Sequence, residues 1–331
     1  MAHNTQVRLR TGLSISQFGL GTATLGGLFT SISESEVDGL VATALRHGIS
    51  FIDTAPHYGK GTSERRLART LASVPRNSYV LSTKVGRILV PTPGATDESF
   101  ADADNSVERV FDFSAKGVER SLKDSLERLG HDRADVVFIH DPDDYGDQAI
   151  AEAYPALEKM RNAGLISAIG VGMNQSAIPT RFVKETDIDM VLIAGRYSLL
   201  DQSAAKDLLP AAAAKGVDII AAGVFNSGIL ANPVKGATYD YAPASDAIVA
   251  RAQRINAILS SAGVSIAQAA MQFPLRNPVV KGILVGCRSG AEVKITLQNS
   301  TNPFQKRSGT NFHRLRDRNS RWHLTRNVRH S

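Results

Sequence analysis

Phe51-Ile52-Asp53-Thr54-Ala55-Pro56-His57-Tyr58-Gly59 is a short apolar run that ends in a carboxylate and breaks into a polar turn. Phe51 and Ile52 suit a buried strand, Asp53 stands where that strand ends, and Pro56 and Gly59 punctuate the loop that carries Tyr58. The same form recurs downstream. Lys84 follows the stretch 80–83, His140 follows 136–139, and Asn174 comes shortly after the run 169–172. Polar groups therefore fall at the C-terminal ends of four separate candidate strands.

Outward from these four, a short apolar run alternates repeatedly with an amphipathic helical stretch, the pattern of parallel β/α units. Candidate strands occupy 17–20, 50–52, 79–83, 134–139, 168–171, 190–194, 217–221 and 282–285, with helical stretches such as 35–46, 115–129, 151–162 and 248–261 between them. Gly48, Gly130, Gly164 and Gly216 each follow a helical stretch and precede a strand, where a left-handed residue is expected. Eight units favour an α/β fold closed as a (β/α)8 TIM barrel over an open doubly wound sheet, because the latter carries a GxGxxG turn after its first strand and none stands here. Residues 7–15, centred on Arg10-Thr11-Gly12, read as a short N-terminal β-hairpin that plugs the bottom. The polar segment 86–112, rich in Pro, Gly and Asp, reads as a long loop, and such a loop inside a compact domain is more often functional than structural.

The chain carries 38 basic and 32 acidic residues, a formal net charge of +6, which raises the question of a nucleic-acid partner. The excess is confined to the end. Nine Lys or Arg and one acid, Asp317, lie at 294–331, so 29 basic and 31 acidic residues precede them and the body carries a net −2. Phe304, Phe312 and Trp322 show no regular interleaving with the basic residues, so a solvated basic end is favoured over a nucleic-acid arm. No apolar stretch approaches a membrane span, and the single cysteine, Cys287, forms neither an internal disulfide nor a cysteine metal cage. These features point to a cytoplasmic protein with no membrane or nucleic-acid partner. Nothing in the sequence specifies an oligomeric state.

A phenol with a pKa near ~10 is a poor acid or base at neutral pH unless a nearby cation stabilises its phenolate. Lys84 is the candidate cation for Tyr58, Asp53 the counter-charge that keeps a desolvated lysine protonated, and His140 a group to orient a substrate oxygen or pass a proton. The set offers no nucleophile paired with a base and no metal cluster, which favours proton transfer coupled to hydride transfer on a bound cofactor. Each member has a plainer reading: Asp53-Thr54 as a turn cap, Tyr58 as a packed aromatic, Lys84 as a surface residue, His140 as a strand-end residue satisfied by Asp141. Their joint placement at strand ends outweighs those readings. A second enzyme class on the same barrel is a Schiff-base aldolase with Lys84 as nucleophile.

The stretch 51–59, followed by Ser63-Glu64, Ser82-Thr83-Lys84-Val85 and Phe138-Ile139-His140, resembles the aldo-keto reductase family in order and spacing. The resemblance runs from about Val7 to Val293 and includes Ile169-Gly170-Val171-Gly172. It implies a single barrel over 1–293, a nicotinamide cofactor (NAD or NADP), a small-molecule substrate, and a catalytic tetrad of Asp53, Tyr58, Lys84 and His140. It also implies Asn174 at the nicotinamide carboxamide, Gly223, Phe225, Asn226, Ser227 and Gly228 around the pyrophosphate, and Gly286 and Arg288 at the adenosine end. Ala194 stands where the family carries a Gln. Arg288 suits either a 2′-phosphate or the adenine face, which leaves NAD and NADP both open.

Phe225-Asn226-Ser227-Gly228, Gly172-Met173-Asn174-Gln175 and His140-Asp141-Pro142-Asp143 are similar to the family's bacterial aldose dehydrogenase branch, whose substrates include L-fucose, D-threo-aldoses and pyridoxal. The implied reaction is oxidation of a ring hemiacetal to a lactone, with Tyr58 as base. Pyridoxal oxidation and carbonyl reduction are alternatives within the family, and a cofactor-binding regulatory subunit without turnover is the alternative outside catalysis. Asp141 and Tyr145 are candidates for sugar hydroxyls, against a plainer reading as solvated loop residues.

At Val293 the likeness breaks, and Lys294-Ile295-Thr296-Leu297-Gln298 opens an Ala-free basic stretch where the family continues with acidic residues and Asn into a final helix. A change of reading frame produces such a break. Codons AAA GAT AAC GCT GCA for Lys-Asp-Asn-Ala-Ala lose one G to become AAA ATA ACG CTG CA, which reads Lys-Ile-Thr-Leu and begins Gln. If 294–331 is the natural end, the eighth helix and any C-terminal substrate loop are compromised. Resequencing the gene is expected to recover an acidic, Ala-containing helix in a neighbouring frame; an intact codon pattern with no such helix in any frame refutes the frame change.

Overall fold

A computed structural model describes residues 5–301, together with the backbone of two short paired strands, Arg314–Arg316 and Trp322–Leu324. Eight parallel strands close a barrel: β1 (Phe18–Gly21), β2 (Phe51–Asp53), β3 (Val80–Val85), β4 (Val136–His140), β5 (Ala168–Met173), β6 (Met190–Ala194), β7 (Asp218–Ala222) and β8 (Val280–Gly286). Each pairs with its neighbour in sequence, and β8 closes on β1 with Ile283 opposite Phe18. All eight expected strands are present. The outer ring includes α1 (Glu34–Arg46), α2 (Thr62–Leu71), α3 (Ala115–Leu129), α4 (Tyr154–Asn162), α5 (Ala177–Glu185) and α6 (Leu208–Lys215). Two helices, α7 (Asp246–Ser261) and α8 (Ile266–Gln272), follow β7, and α9 (Gly290–Thr301) follows β8. Ser33 and Glu36 form a reciprocal capping box at the start of α1, and Gly130 closes α3 in the left-handed region at φ 65°.

Strand side chains alternate between two cores. Val137, Ile139, Val191 and Ile193 pack with the helices, whereas Phe51, Val136, Phe138, Leu192 and Leu284 fill the barrel itself. Leu9 and Ile15 join this inner cluster from the hairpin Gln6–Arg8/Ser14–Ser16, which makes it the bottom plug expected of 7–15.

Residues 86–112 are not one long loop. Arg87–Pro91 and Val107–Phe111 pair as an antiparallel hairpin directly after β3. The run Ile88-Leu89-Val90 and the β-branched Val107 and Val110 carry a strand signal that the Pro, Gly and Asp of the intervening turn obscure. Across the break at Val293, α9 continues to Thr301, with Val293, Thr296 and Leu297 buried at helical spacing, so a helix forms here despite the change in composition. Most of the remaining basic segment, including Phe304 and Phe312, lies outside the described residues.

Gly170 sits inside the barrel, where a methyl group would stand 2.5 Å from Phe138 Cδ1 and 2.7 Å from the Met190 carbonyl oxygen. Neither a barrel carbonyl nor a packed ring moves freely, so Gly170→Ala is expected to destabilise the protein by about 1–3 kcal/mol. Urea unfolding should show a lower midpoint with an unchanged slope; a parent-like midpoint would mean that the interior is slack at this level.

Candidate active site

The alternation that fills the barrel also builds the site. On β2, β3 and β4 the inward positions are Phe51 and Asp53; Val80, Ser82 and Lys84; and Val136, Phe138 and His140. Apolar members lie low and polar members end the series at the C-terminal mouth. Tyr58 is brought over that mouth by a compact turn in which its N–H donates to the Ala55 carbonyl at 3.1 Å and Gly61 N–H to the Pro56 carbonyl at 2.9 Å.

Lys84 Nζ is the centre of the arrangement. It donates to Asp53 Oδ2 at 2.6 Å, to the Thr54 carbonyl at 2.9 Å and to the Tyr58 hydroxyl at 3.0 Å, so all three ammonium protons are used. It also lies 4.7 Å from the centroid of the Tyr58 ring. The other oxygen of Asp53 accepts from the Ser82 hydroxyl at 2.8 Å, so both carboxylate oxygens are directed to β3 side chains. Lys84 is 1% exposed, which is incompatible with a surface lysine. His140 stands edge-on to Tyr58, with ring centroids 6.2 Å apart at 88°, and its buried Nδ1 has no hydrogen-bond partner.

Burial works against the charge on Lys84, but Asp53 and Tyr58 together outweigh it and raise its pKa above the ordinary lysine value. An amine held protonated in this way is the opposite of what a Schiff-base nucleophile requires, and the aldolase reading loses its warrant. Tyr58 moves against the expectation of a stabilised phenolate. Loss of water around the phenol exceeds the pull of Lys84, and its pKa is pushed up to about 12. His57 falls to about 2 and His140 well below the ordinary histidine range, in both cases chiefly through burial and then through the positive charge of Arg87. Both imidazoles are neutral.

Arg87, from the inserted hairpin, joins these groups. Its Nη2 donates to Asp141 Oδ2 at 2.6 Å, and its Nη1 lies 3.3 Å from His57 Nδ1. A guanidinium only donates, so His57 Nδ1 accepts and the ring proton is on Nε2. Asp141 has a left-handed φ of 46°, and its Oδ2 lies 3.4 Å from His140 Nε2, which places it beside the tetrad. Burial raises its pKa in spite of Arg87. Tyr145 is not brought to the tetrad. It is 40% exposed and packs on Phe111 and Phe113, with ring centroids 5.6 and 5.3 Å away.

Around the rest of the mouth, Gly223, Asn226, Ser227 and Gly228 all have positive φ. Asn226 Nδ2 donates to the Gly195 carbonyl at 3.1 Å, whereas its buried Oδ1 has no partner. Among the described residues the N–H groups of Phe225 and Ser227 donate to nothing. Unpaired N–H groups in an open turn suit an anion, so this loop fits a cofactor pyrophosphate. Asn174 is exposed, and its carbonyl accepts from Arg196 Nε at 2.6 Å; Arg196 also pairs with Asp240 at 2.8 Å. Gly286 is exposed at the end of β8. The Arg288 guanidinium spans to the carbonyls of Leu28, Thr30 and Ser31 at 3.2, 3.0 and 2.8 Å, which ties the β1 loop to the end of β8. Sequence reading missed Arg87 and Arg196. Apart from Asp201, five residues beyond Arg196, the partners named lie far along the chain, and no local pattern marks either residue.

Residues 17–315 match the Aldo/keto reductase family, and the chain belongs to it: an oxidoreductase that works with NAD or NADP on a small-molecule substrate. It is 43% identical to D-threo-aldose 1-dehydrogenase from a Pseudomonas species, over 83% of this chain and 86% of that protein. Pyridoxal 4-dehydrogenase from Microbacterium luteolum is 39% identical over 86% of this chain and 89% of its own, and L-galactose dehydrogenase from Arabidopsis thaliana 32% over 88% and 87%. Among solved structures, the holo form of aldo-keto reductase AKR11C1 from Bacillus halodurans shares the fold, with a TM-score of 0.74 at 23% identity over 91% of this chain and 92% of that one.

Proposed function

We propose that this protein oxidises the anomeric hydroxyl of an aldose of the L-fucose or D-threo type to the aldonolactone. The observation that carries this reading is Lys84 bridging Asp53 and Tyr58 beside His140, on a chain 43% identical to a D-threo-aldose 1-dehydrogenase. The nicotinamide ring supplies the hydride acceptor. Tyr58 takes the anomeric hydroxyl proton as C1 gives up its hydride, and the C1–O bond becomes the lactone carbonyl. Asp53 keeps Lys84 charged, and Lys84 steadies the phenolate that Tyr58 needs in order to accept that proton. Neutral His140 orients the substrate oxygen. Asp141, oriented by Arg87, supplies an acceptor for a neighbouring sugar hydroxyl.

Pyridoxal is the second reading. Its aldehyde closes with the adjacent hydroxymethyl group to a cyclic hemiacetal, so the same residues serve, and a pyridoxal 4-dehydrogenase is 39% identical to this chain. The assembled tetrad supports turnover over a purely regulatory role. No helix among the described residues is long and apolar enough to cross a membrane, and the buried thiol of Cys287 fits a reducing compartment such as the cytoplasm.

Because Tyr58 titrates at about 12, its phenolate fraction grows with pH through the whole working range. Oxidation kcat/KM is therefore expected to climb roughly tenfold per pH unit from neutrality upward, with no lower limb from His57 or His140, which stay neutral. A flat profile would take the proton transfer away from Tyr58. The substrate assignment is tested by offering free aldoses and pyridoxal with NAD and with NADP at alkaline pH and following reduced nicotinamide by absorbance. Turnover of L-fucose or a D-threo-aldose is expected, with a loss of about 10²- to 10⁴-fold in Tyr58→Phe. Turnover of pyridoxal alone selects the second reading, and none with either class overturns both.

A further inference from the structure

The turn that carries Tyr58 is held from outside by the inserted segment. Arg109 lies on the returning strand of the insertion, and its Nε and Nη2 both donate to the His57 carbonyl, at 3.1 and 2.9 Å. That carbonyl belongs to the peptide whose other half is the Tyr58 N–H. The Arg109 guanidinium is itself fixed by the Asp97 carboxylate, which is 3% exposed. Two further ties follow along the turn. Asp104 N–H donates to the Gly59 carbonyl at 3.1 Å, and Lys60, wholly buried and left-handed at φ 51°, places Nζ 3.0 Å from Glu108 Oε2.

The turn is anchored at its start by Thr54 N–H on the Ser82 carbonyl at 2.9 Å and at its end by Ser63 N–H on the Tyr58 carbonyl at 3.2 Å, and Arg109 grips the His57–Tyr58 peptide between them. Lys84 reaches the Tyr58 side chain through a single hydrogen bond of 3.0 Å, and a small tilt of the His57–Tyr58 peptide would swing the phenol out of reach. A guanidinium giving two charge-assisted bonds to one carbonyl resists that tilt in a way a one-point contact does not. The insertion begins at Arg87, two residues after β3 ends, so the segment that leaves Lys84 returns to hold the residue Lys84 must touch.

We propose that Arg109 is a positioning residue for the acid–base step, holding the His57–Tyr58 peptide so that the phenol stays in register with Lys84. The inserted hairpin is on this account part of the proton-transfer machinery. The inference rests on Tyr58 as the acid–base group.

The test is the set Arg109→Met, Arg109→Lys, Tyr58→Phe and the double variant Tyr58→Phe/Arg109→Met, assayed in the full chain on whichever hemiacetal it turns over. Arg109→Met should lower kcat on the order of 10- to 100-fold, leave the dissociation constant for reduced nicotinamide cofactor within about twofold of the parent, and move the alkaline rise of the pH profile to higher pH. Arg109→Lys, with charge but no fork, should recover part of the loss. In the Tyr58→Phe background Arg109→Met should cost nothing further. A parent-like kcat and pH profile in Arg109→Met overturns the proposal, as does an equal loss with and without the Tyr58 hydroxyl, or weakened cofactor binding that accounts for the whole effect. Should Arg109→Met fail to fold, Asp97→Asn loosens the fork with Arg109 in place and is read by the same measurements. Full turnover by Tyr58→Phe alone would instead remove the acid–base reading itself, so the two failures are distinguishable.

Discussion

A buried ammonium organises this end of the barrel. Removing a lysine charge from water costs several kcal/mol unless its protons and field are answered locally. Lys84 is answered three times, by Asp53, by the Thr54 carbonyl and by Tyr58. Those partners come from β2 and the turn that follows it, so the ammonium is satisfied only if β2 and β3 lie side by side with Asp53 opposite Ser82. A slip of one residue in either strand would turn Asp53 or Lys84 towards the helices and leave an unpaired charge among apolar side chains. The charge therefore binds strand register, turn geometry and site into one requirement.

Support for the turn extends beneath it as well as beside it. Ser63 Oγ donates to the Thr22 carbonyl at 2.8 Å and meets Thr54 Oγ1 at 3.1 Å, which fastens the start of α2 to the ends of β1 and β2. Glu64, fully buried, accepts from Arg128 Nε at 2.6 Å and from Thr83 Oγ1 at 2.8 Å, which ties α2 to α3 and β3. Ser63-Glu64 thus belongs to the motif as scaffolding, not as chemistry. It holds the helix that follows Tyr58 against the strand that carries Lys84.

The elements legible in the sequence were those whose signal is local. The range 190–194 coincides with β6 and 115–129 with α3, because a continuous apolar run and an amphipathic period each declare themselves within a few residues. The tetrad was legible for the same reason: each member stands at the end of a local pattern or a few residues beyond one. What escaped notice depends on distant partners. Nothing around Arg87 shows that it will span His57 and Asp141, and nothing around Arg109 shows that it will grip the His57 carbonyl. The same applies to Arg196 and Asp240, 44 residues apart. The inserted hairpin escaped because its strands flank a long polar turn. The direction of the Tyr58 shift was not legible either, since it depends on whether crowding or Lys84 dominates.

The cations around the mouth have an effect beyond their individual contacts. Lys84, Arg87 and Arg109 all disfavour a charged imidazole, so His57 is held neutral by burial and by the field of all three, and His140 by burial with Arg87 and Lys84. A protonated histidine beside the substrate would compete with Tyr58 as proton donor in reduction and would repel a cationic nicotinamide ring in oxidation. A neutral one still donates or accepts a hydrogen bond, which is all that orienting an oxygen requires. Asp141, paired to Arg87, leaves no uncompensated charge at the mouth. With both imidazoles neutral and Lys84 held charged, Tyr58 and Asp141 are left as groups whose pKa burial raises. On the proposed reading, Tyr58 can then serve as acid or base with no histidine titrating beside it.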